Sequence, residues 1–379
     1  VRDIDRFNFP KQIKSRVEVI EVDFLDKKSL QKIPKEIDAS YYLLHSMSSS
    51  ENYENLELQC AKNFCDTISN TNAQHVIYLS GIVNDNSLSK HLASRKAVEL
   101  ELKKGTYHFT TFRAGIIIGS GSASFEIIRD LVEKLPIMIT PKWLNTRCQP
   151  IAISDVLAFL SKALFETTVY DKSFDIGGPD ILTYKEMLLG FAKARGLDRK
   201  IYTVPVMTPK LSSYWLYFVT STSYKLASAL VSSMKVEVVC QKSNINTLLD
   251  INPINYETAL QKTLYKIDGN DIPSSWKDSW SSGVMHDKVD LRLEVPTFGC
   301  FKDERTMKVK NIEATKDKIW QIGGDNGWYY GNFLWEIRGF LDQLFGGVGL
   351  RRGRRHPSNL NPGDALDFWR VLYLSLIHI

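Results

Sequence analysis

The chain has 379 residues, of which 44% are hydrophobic and 24% charged, and its formal net charge is +5. That length exceeds what one hydrophobic core normally fills, so we expect two domains, and the composition excludes a disordered chain. Lysine and arginine are interspersed with acidic residues except at Arg351-Arg352-Gly353-Arg354-Arg355. The charge pattern therefore indicates no nucleic-acid partner.

The cysteines and the hydropathy pattern restrict the class of protein further. Five cysteines form an odd set without C-x-x-C spacing, which predicts reduced thiols, a cytoplasmic location and no metal site. No apolar run reaches the roughly 18–20 residues of a membrane span, so we expect no integral membrane segment. The arginine cluster at 351–355 is interpreted as an exposed turn, with peripheral contact to anionic lipid as the alternative.

Strands and helices are predicted to alternate in the first part of the chain. Short apolar runs predict buried strands at 17–22, 39–44, 75–80 and 109–118, and a 3.6-residue apolar period predicts helices at 26–33, 51–70 and 91–104. This order predicts a doubly wound parallel, Rossmann-like sheet of the α/β class. In such sheets ligands bind beyond the carboxyl ends of the strands, so the residues that close each strand are the candidate site residues.

The rhythm is less regular after residue 120. The pattern predicts helices at 123–134 and 154–166, a strand at 173–176, and a helix that Thr183-x-x-Glu186 begins as a capping box. A further strand is predicted at 305–311. Pro, Ser, Gly and Trp cluster between Pro273 and Asp287, so we place a first domain at 1–285, with a substrate subdomain in 120–270, and a second domain at 286–379.

An ordered set of short motifs carries a resemblance to a known family. The motifs are Val22-Asp23-Phe24, Tyr42-Leu43-Leu44-His45-Ser46, Tyr78-Leu79-Ser80-Gly81, Phe112-Arg113-Ala114-Gly115 and Ile176-Gly177-Gly178-Pro179. In this order they resemble the atypical and extended short-chain dehydrogenases/reductases, in the NmrA-like branch that binds NAD(P)H. The resemblance covers residues 1 to about 270 and implies a nicotinamide dinucleotide cofactor and a small-molecule substrate.

The C-terminal part carries a second resemblance. Trp320-x-Ile322-Gly323-Gly324, Asn326-Gly327-Trp328 and Gly363-Asp364-Ala365-Leu366-Asp367 resemble an uncharacterised domain that is similar to the START/polyketide-cyclase (SRPBCC) superfamily. This implies a partial α+β, helix-grip-like domain that would supply a hydrophobic cavity.

Both ends of the chain depart from these patterns. The reductase family begins with a strand and a G-x-x-G-x-x-G turn whose backbone N–H groups hold the pyrophosphate, whereas this chain begins where the second strand would end. The first βα unit is therefore expected to be missing. The last residues, Leu374–Ile379, resemble translated adapter sequence. We interpret the chain as a fragment truncated at both ends, with a genuine apolar terminal strand as the alternative.

The resemblance also implies which residues contact the cofactor. Arg2 would pair with the 2′-phosphate of NADP, with NAD as the alternative cofactor if Arg2 is only a solvated arginine. Asp23 would bind the adenine amino group beside Phe24, unless Asp23 serves only as a turn residue. The further implied cofactor contacts are Leu44, His45, Ser46, Ser80, Gly81 and Arg113.

The predicted catalytic residues are Ser80, His91 and Arg95. Classical members place a Tyr-x-x-x-Lys pair on the helix after the serine, because the lysine lowers the pKa of the tyrosine. Here the corresponding pattern is His91-x-x-x-Arg95-x-x-x-Glu99. Histidine titrates near neutrality and could act as acid or base. In the structural alternative His91 only starts the helix and Arg95 contacts the cofactor ribose or solvent.

We therefore predict an NAD(P)H-linked oxidoreductase that acts on a small, apolar carbonyl or related substrate. The alternative is a non-catalytic NADPH-binding sensor or scaffold, similar to NmrA or to a nucleotide-binding accessory subunit of respiratory complex I. A lipid- or quinone-associated accessory protein is a third hypothesis. The sequence leaves the substrate and the oligomeric state open.

Overall fold

The computed structural model describes residues 1, 15–44, 53–83, 90–204, 234–268, 306–344, 365–366 and 369–370. The chain divides into two compact units, Val1–Lys266 with Asp271–Pro273, and Ile267–Asn270 with Ser274–Ile379. The domain boundary predicted at residue 285 lies outside the described residues, and it stays a prediction together with the 120–270 subdomain.

The strands and helices follow in chain order. The strands are β1 Ala39–Tyr42, β2 His75–Gly81, β3 His108–Ala114, β4 Ile117–Ile118, β5 Ile137–Pro141, β6 Arg147–Cys148, β7 Ile151–Ala152, β8 Ser173–Ile176, β9 Leu182–Thr183, β10 Lys200–Val204, β11 Ala365–Leu366 and β12 Trp369–Arg370. The helices are α1 Tyr53–Ile68, α2 Lys90–Leu102, α3 Ala123–Lys134, α4 Ile153–Lys162, α5 Tyr184–Ala194, α6 Ile245–Leu248, α7 Tyr256–Asp268, α8 Ile312–Trp320 and α9 Asn332–Leu344.

A parallel four-stranded sheet organises the first unit. Its strand order is β1-β2-β3-β8, and every neighbouring pair is parallel. The shorter pairs β4–β7 and β5–β10 are also parallel, whereas β6–β9 is antiparallel. The α/β class and the parallel, Rossmann-like sheet predicted from the sequence are confirmed.

Apolar side chains cover both faces of the central sheet. On one face Tyr78 of β2 packs in a cluster with Phe64 of α1 and Val98 of α2. On the other face Phe112 of β3 packs in a cluster with Phe159 of α4. Because successive residues of a strand point to opposite faces, a strand covered on both sides needs apolar residues on both. The apolar run at 75–80 therefore predicted β2 correctly, and the first part of the run at 109–118 coincides with β3.

Several predicted elements differ from the observed ones. The segment 17–22 is not a strand: among the described residues its backbone pairs only with Val1, which donates to Ile20 O at 2.9 Å and accepts from Val22 N at 2.7 Å. One residue is too short a partner for a ladder. The helix predicted at 26–33 is a single 3₁₀ turn, Ser29–Lys32, and the strand predicted at 109–118 is split into β3 and β4.

Two helices end or begin where local chemistry dictates. The predicted helix 154–166 ends at Lys162, because Phe165 adopts a left-handed conformation with φ of 60°. The capping box predicted at Thr183 is confirmed: its hydroxyl accepts from Glu186 N at 3.1 Å, and the Glu186 carboxylate accepts from Thr183 N at 2.7 Å.

Two glycines after β8 allow a close approach of three loops. A Cβ added to Gly178 would lie 2.6 Å from the Pro150 carbonyl oxygen, and the Gly178 N–H donates to that oxygen at 2.8 Å. The neighbouring Gln149 side chain donates to Gly178 O at 2.7 Å and accepts from Cys240 N at 3.0 Å. The Gly177-Gly178-Pro179 motif thus joins the strand end to the segments before β7 and α6.

The described part of the second unit contains α8, α9 and the antiparallel pair β11–β12. The indole rings of Trp328 and Trp335 stack at 5.3 Å between centroids. Residues 306–310 do not form the predicted strand, and α8 begins directly after them because the Asn311 side chain caps Ala314 N at 3.1 Å. The helix-grip architecture stays a prediction.

Candidate functional site

The candidate site lies at the carboxyl end of the four-stranded sheet, where the parallel strands end side by side. Leu43 and Leu44 follow β1, and 57% and 40% of their surface is exposed. β2 ends at Ser80 and Gly81, and β3 ends at Ala114, next to Arg113. The predicted residues Leu44, Ser80, Gly81 and Arg113 therefore lie on three adjacent strand ends.

One face of this sheet edge is polar. The register aligns Tyr42, Tyr78, Thr111 and Ser173 in one row across the sheet, and Ser80, Arg113 and Asp175 in the next row toward the carboxyl end. Helix α2 covers this face through side-chain hydrogen bonds to both rows. Residues two apart on one strand point to the same side of the sheet. The register between strands, which the sequence does not contain, brings them together into these two rows.

Arg113 is held in a charged cluster between β3, β8 and α2. Its guanidinium donates to both carboxylate oxygens of Glu99, at 2.6 and 3.1 Å, and lies 3.9 Å from Asp175. Glu99 also accepts from the Ser173 hydroxyl at 2.7 Å. Burial opposes the charge, but the bonds to Glu99 and the charge of Asp175 raise the pKa of Arg113 above its usual value.

This cluster satisfies a condition that the sequence imposes on Arg113. A charged residue inside an apolar strand must be paired or must face a ligand. The structure pairs it with Glu99, which the sequence pattern noted without a role, and with Asp175, which the sequence interpretation missed. Burial raises the pKa of Asp175 against the opposing effects of the Gln241 N–H and Arg113. A contact of Arg113 with cofactor stays a prediction.

Two buried hydroxyls on the polar face have no hydrogen-bond partner among the described residues. They are Ser80 Oγ and Thr111 Oγ1, and the residues are 7% and 0% exposed. A buried polar atom without a partner is uncommon in native proteins and requires a reason. Ser80 lies one row closer to the carboxyl end than Thr111, so Ser80 is the one that a ligand at this end would reach first.

Arg95 contacts the sheet one turn of α2 before Glu99. Its Nη1 donates to the Tyr78 hydroxyl at 3.3 Å, and this is the one hydrogen bond or ion pair that Arg95 makes within the described part of the chain. Tyr78 is fully buried and packs edge-on against Tyr42, with 5.6 Å between ring centroids. His91 lies in the first turn of α2, and its side chain lies outside the described residues.

Asp23 and Phe24 form a turn that packs against α1. The Asp23 carboxylate accepts from Leu25 N at 2.9 Å, the contact expected of a turn-forming aspartate. The Phe24 ring lies 5.6 Å from Phe64, and its carbonyl accepts from Asn63 at 2.6 Å. Arg2, His45 and Ser46 lie outside the described residues. The cofactor contacts of all five residues stay predictions.

The described residues do not support a cysteine nucleophile or a metal site. Burial raises the pKa of the Cys148 and Cys240 thiols to about 12, so neither is a thiolate nucleophile near neutral pH. The described residues contain no group of three or more His, Cys, Asp or Glu side chains arranged to hold a metal ion. They also contain no helix that is long and apolar enough to cross a membrane.

Comparison with solved structures identifies the fold of the chain. A nucleoside-diphosphate-sugar epimerase from Staphylococcus aureus is similar over 69% of this chain and 88% of its own, at 15% identity and a TM-score of 0.55. For the triphenylmethane reductase of a Citrobacter species the values are 70%, 88%, 14% and 0.54. For an NADPH-dependent quinone oxidoreductase from Escherichia coli, solved with NADPH, they are 65%, 84%, 14% and 0.53. At such identities the likeness shows the Rossmann-like fold alone.

The C-terminal segment matches a family model. The model of a family described as a protein of unknown function, DUF2867, matches residues 300–376. A search of curated proteins finds no match. The description of this family does not mention the START/polyketide-cyclase superfamily, so that relationship stays a prediction.

Proposed function

We propose that the first unit binds NAD(P)H across the carboxyl ends of β1, β2 and β3 and acts as an oxidoreductase on a small, apolar carbonyl or related substrate. The observation that carries this proposal is the buried hydroxyl of Ser80, which ends β2 and has no partner in the described residues. In open parallel sheets this edge is where ligands bind. A carbonyl oxygen of substrate or nicotinamide would satisfy the hydroxyl.

The residues at this edge suit such a cofactor. Leu43 and Leu44 offer exposed apolar surface to a ring. Most N–H donors of the Arg95 guanidinium have no acceptor in the part of the chain that the structure describes, and they suit an anionic group. Bound NAD(P)H would supply a hydride, and the chain would supply orientation and hydrogen bonds. The E. coli quinone oxidoreductase and the Citrobacter reductase have both been solved with NADP(H), which supports this cofactor class.

The roles of individual residues follow from the same proposal. Ser80 would hydrogen-bond the reacting carbonyl, His91 would exchange a proton with it, and Arg95 would carry the positive charge that lysine carries in the Tyr-x-x-x-Lys pattern. Arg2 would select NADP, with NAD as the alternative. Asp23, Phe24, His45 and Ser46 would complete the adenine side. The protein would work in the cytoplasm on a small-molecule substrate, without nucleic acid.

Titration of the full chain with NADPH and NADH, followed by cofactor fluorescence, tests the proposal. We expect saturable binding that is tighter for NADPH, and weaker binding to Ser80→Ala. Thr111→Val is the matched control, because it removes the other unpartnered hydroxyl one row deeper in the sheet. Absence of saturable binding to the unaltered chain would overturn the proposal.

The second candidate function is a non-catalytic NADPH-binding sensor or scaffold. The replacement of the Tyr-x-x-x-Lys pair by His91 and Arg95 favours it, and so does the pairing of Arg113 with Glu99 rather than with an open site. Oxidation of NADPH across a panel of quinones, aldehydes and ketones separates the two functions. Turnover that His91→Ala abolishes selects the enzyme, whereas tight binding without turnover selects the sensor or scaffold.

A further inference from the structure

The phenol of Tyr78 and the guanidinium of Arg95 form a hydrogen-bonded pair that their positions in the sequence do not predict. The two residues are 17 positions apart, on β2 and α2, and the hydrogen bond between them measures 3.3 Å. A tyrosine beside a cation is the element that the Tyr-x-x-x-Lys pattern would have supplied from one helix. Here the tyrosine comes from the strand that carries Ser80, two residues before it.

The burial of the two partners assigns them different roles. Tyr78 is fully buried, between Tyr42 in the register on one side and Thr111 on the other, so a substrate cannot reach its ring in this conformation. Arg95 is only partly buried. Since a buried hydroxyl is costly without a partner, the bond to Arg95 satisfies Tyr78 and at the same time restricts where the guanidinium lies.

The two arginines near the strand ends also differ in their partners. Arg113 donates to both oxygens of Glu99 and lies near Asp175. Arg95 donates to the phenol oxygen of Tyr78 and to nothing else in the described residues. A guanidinium has five N–H donors, so most of those on Arg95 have no acceptor among the described residues and suit an anionic or hydroxyl-bearing ligand, whereas the charge of Arg113 is neutralised by its partners.

We propose that Tyr78 is a positioning residue, whose hydroxyl orients Arg95 for an anionic or hydroxyl-bearing group of the ligand at the carboxyl end of the sheet. The inference rests on the proposed binding of NAD(P)H. It assigns Tyr78 no contact with substrate or cofactor. The competing view is that Arg95 serves only to satisfy a buried phenol, and the experiment is designed to separate the two.

The test measures NADPH affinity in a double-mutant cycle of Tyr78→Phe and Arg95→Met in the full chain. We expect Arg95→Met to weaken binding about 10- to 100-fold, as for loss of a charged hydrogen-bond donor, and Tyr78→Phe to weaken it by a smaller factor. In the Arg95→Met background Tyr78→Phe should have no further effect. An equal loss in both backgrounds indicates a general structural role and overturns the proposal.

Tyr42→Phe is the matched control, because it removes a hydroxyl from the adjacent buried tyrosine in the same row. We expect its NADPH affinity to equal that of the unaltered chain. If Tyr78→Phe bound NADPH as tightly as Tyr42→Phe does, the inference would fail while the proposed function would stand. If the unaltered chain bound no NADPH, the proposed function and the inference would both fail.

A second measurement needs neither ligand nor folding of the Tyr78 variant. Arginine-selective ¹⁵N labelling, with Arg95→Met to assign the signal, reports rotation about the Nε–Cζ bond of Arg95. We expect slowed rotation in the ligand-free chain, because Tyr78 holds one end of the guanidinium. Rotation as fast as that of an exposed arginine would overturn the positioning role even if NADPH binds.

Discussion

Arg113 and Glu99 form a two-bond ion pair that joins the third strand of the sheet to the helix packed over it. The Nη2–Oε1 and Nε–Oε2 distances are 2.6 and 3.1 Å, and only 28% and 10% of the two side chains are exposed. Because the pair is largely buried, its removal leaves a charge that neither water nor a second partner fully compensates. The pair therefore fixes α2 and with it the candidate site residues Arg95 and His91.

We expect Glu99→Ala to lower the free energy of unfolding by about 3 kcal/mol, since it leaves Arg113 beside Asp175 alone. Urea unfolding measures the change. The control is Glu237→Ala, which breaks an equally bidentate pair with Arg147, at 2.9 Å for both bonds, on the exposed surface. Exposed pairs contribute roughly 0–1 kcal/mol. Equal effects of the two substitutions would contradict the structural role of Glu99.

The unpartnered hydroxyls of Ser80 and Thr111 should respond differently to removal. Thr111→Val deletes a buried hydroxyl that makes no hydrogen bond with any described residue, so we expect unchanged or higher stability, by up to about 1 kcal/mol, and unchanged NADPH binding. Ser80→Ala should have a similar effect on stability but should weaken NADPH binding or reduce turnover. Thermal unfolding with and without NADPH checks both variants. If only Thr111→Val lost NADPH binding, the ligand would contact the row of Thr111 rather than that of Ser80.

His75 should make stability depend on pH. It is fully buried, with Nε2 2.9 Å from Thr110 Oγ1 and Nδ1 accepting from Phe165 N at 3.2 Å. Burial and, to a lesser extent, the nearby His108 lower its pKa to about 4. The unfolded chain binds a proton near pH 6.5, so stability contributed by neutral His75 is complete above about pH 6.5 and is lost as the pH falls toward 4.

We expect His75→Gln to be less stable than the unaltered chain at pH 7, and to lose roughly 2 kcal/mol less between pH 7 and pH 4.5. Urea unfolding at a series of pH values measures how the free energy of unfolding of each protein depends on pH. His108→Gln separates the two causes: burial is the larger one, so we expect this variant to keep most of the pH dependence of the unaltered chain. An identical slope in the His75 variant and the unaltered chain would show that His75 is not the group that titrates.

The capping box at the start of α5 gives a local prediction. Thr183→Ala removes the hydroxyl that accepts from Glu186 N, and loss of such a cap costs about 1 kcal/mol. Thr183→Ser keeps the hydroxyl and should retain most of the stability. Urea unfolding of both variants provides the measurement, and equal losses in the two would show that the methyl group rather than the cap is responsible.

The main elements of the sheet could be predicted from sequence because their signals are local. A strand buried on both faces requires a continuous apolar run, as at 75–80, and a helix packed on one side requires the period of 51–70. The segment 17–22 has the same apolar character, but a strand also needs a neighbour. Among the described residues only Val1 lies beside it, and a pairing partner is information that a single segment does not contain.

The candidate site was predicted only in part, because the partners of its residues come from other segments of the chain. Ser80, Gly81, Leu44 and Arg113 close strands, so the sequence placed them at the edge where parallel strands end. The sequence also aligned Arg95 with Glu99 on one side of a helix, since four residues make about one turn. It named Tyr78 only as part of the Tyr78-Leu79-Ser80-Gly81 motif, and it gave Asp175 no role.

The sequence by itself determined the α/β class, the alternation of strands and helices and the edge at which to look for a site. Only the tertiary structure decided which of the described polar residues are paired with an opposite charge and which keep donors that no described residue accepts. It paired Arg113 with Glu99 and Asp175, and it left Arg95 with the phenol of Tyr78. The physical reason is that apolar periodicity is set by neighbours along the chain, whereas the partner of a buried charge comes from another strand or helix that folding brings alongside.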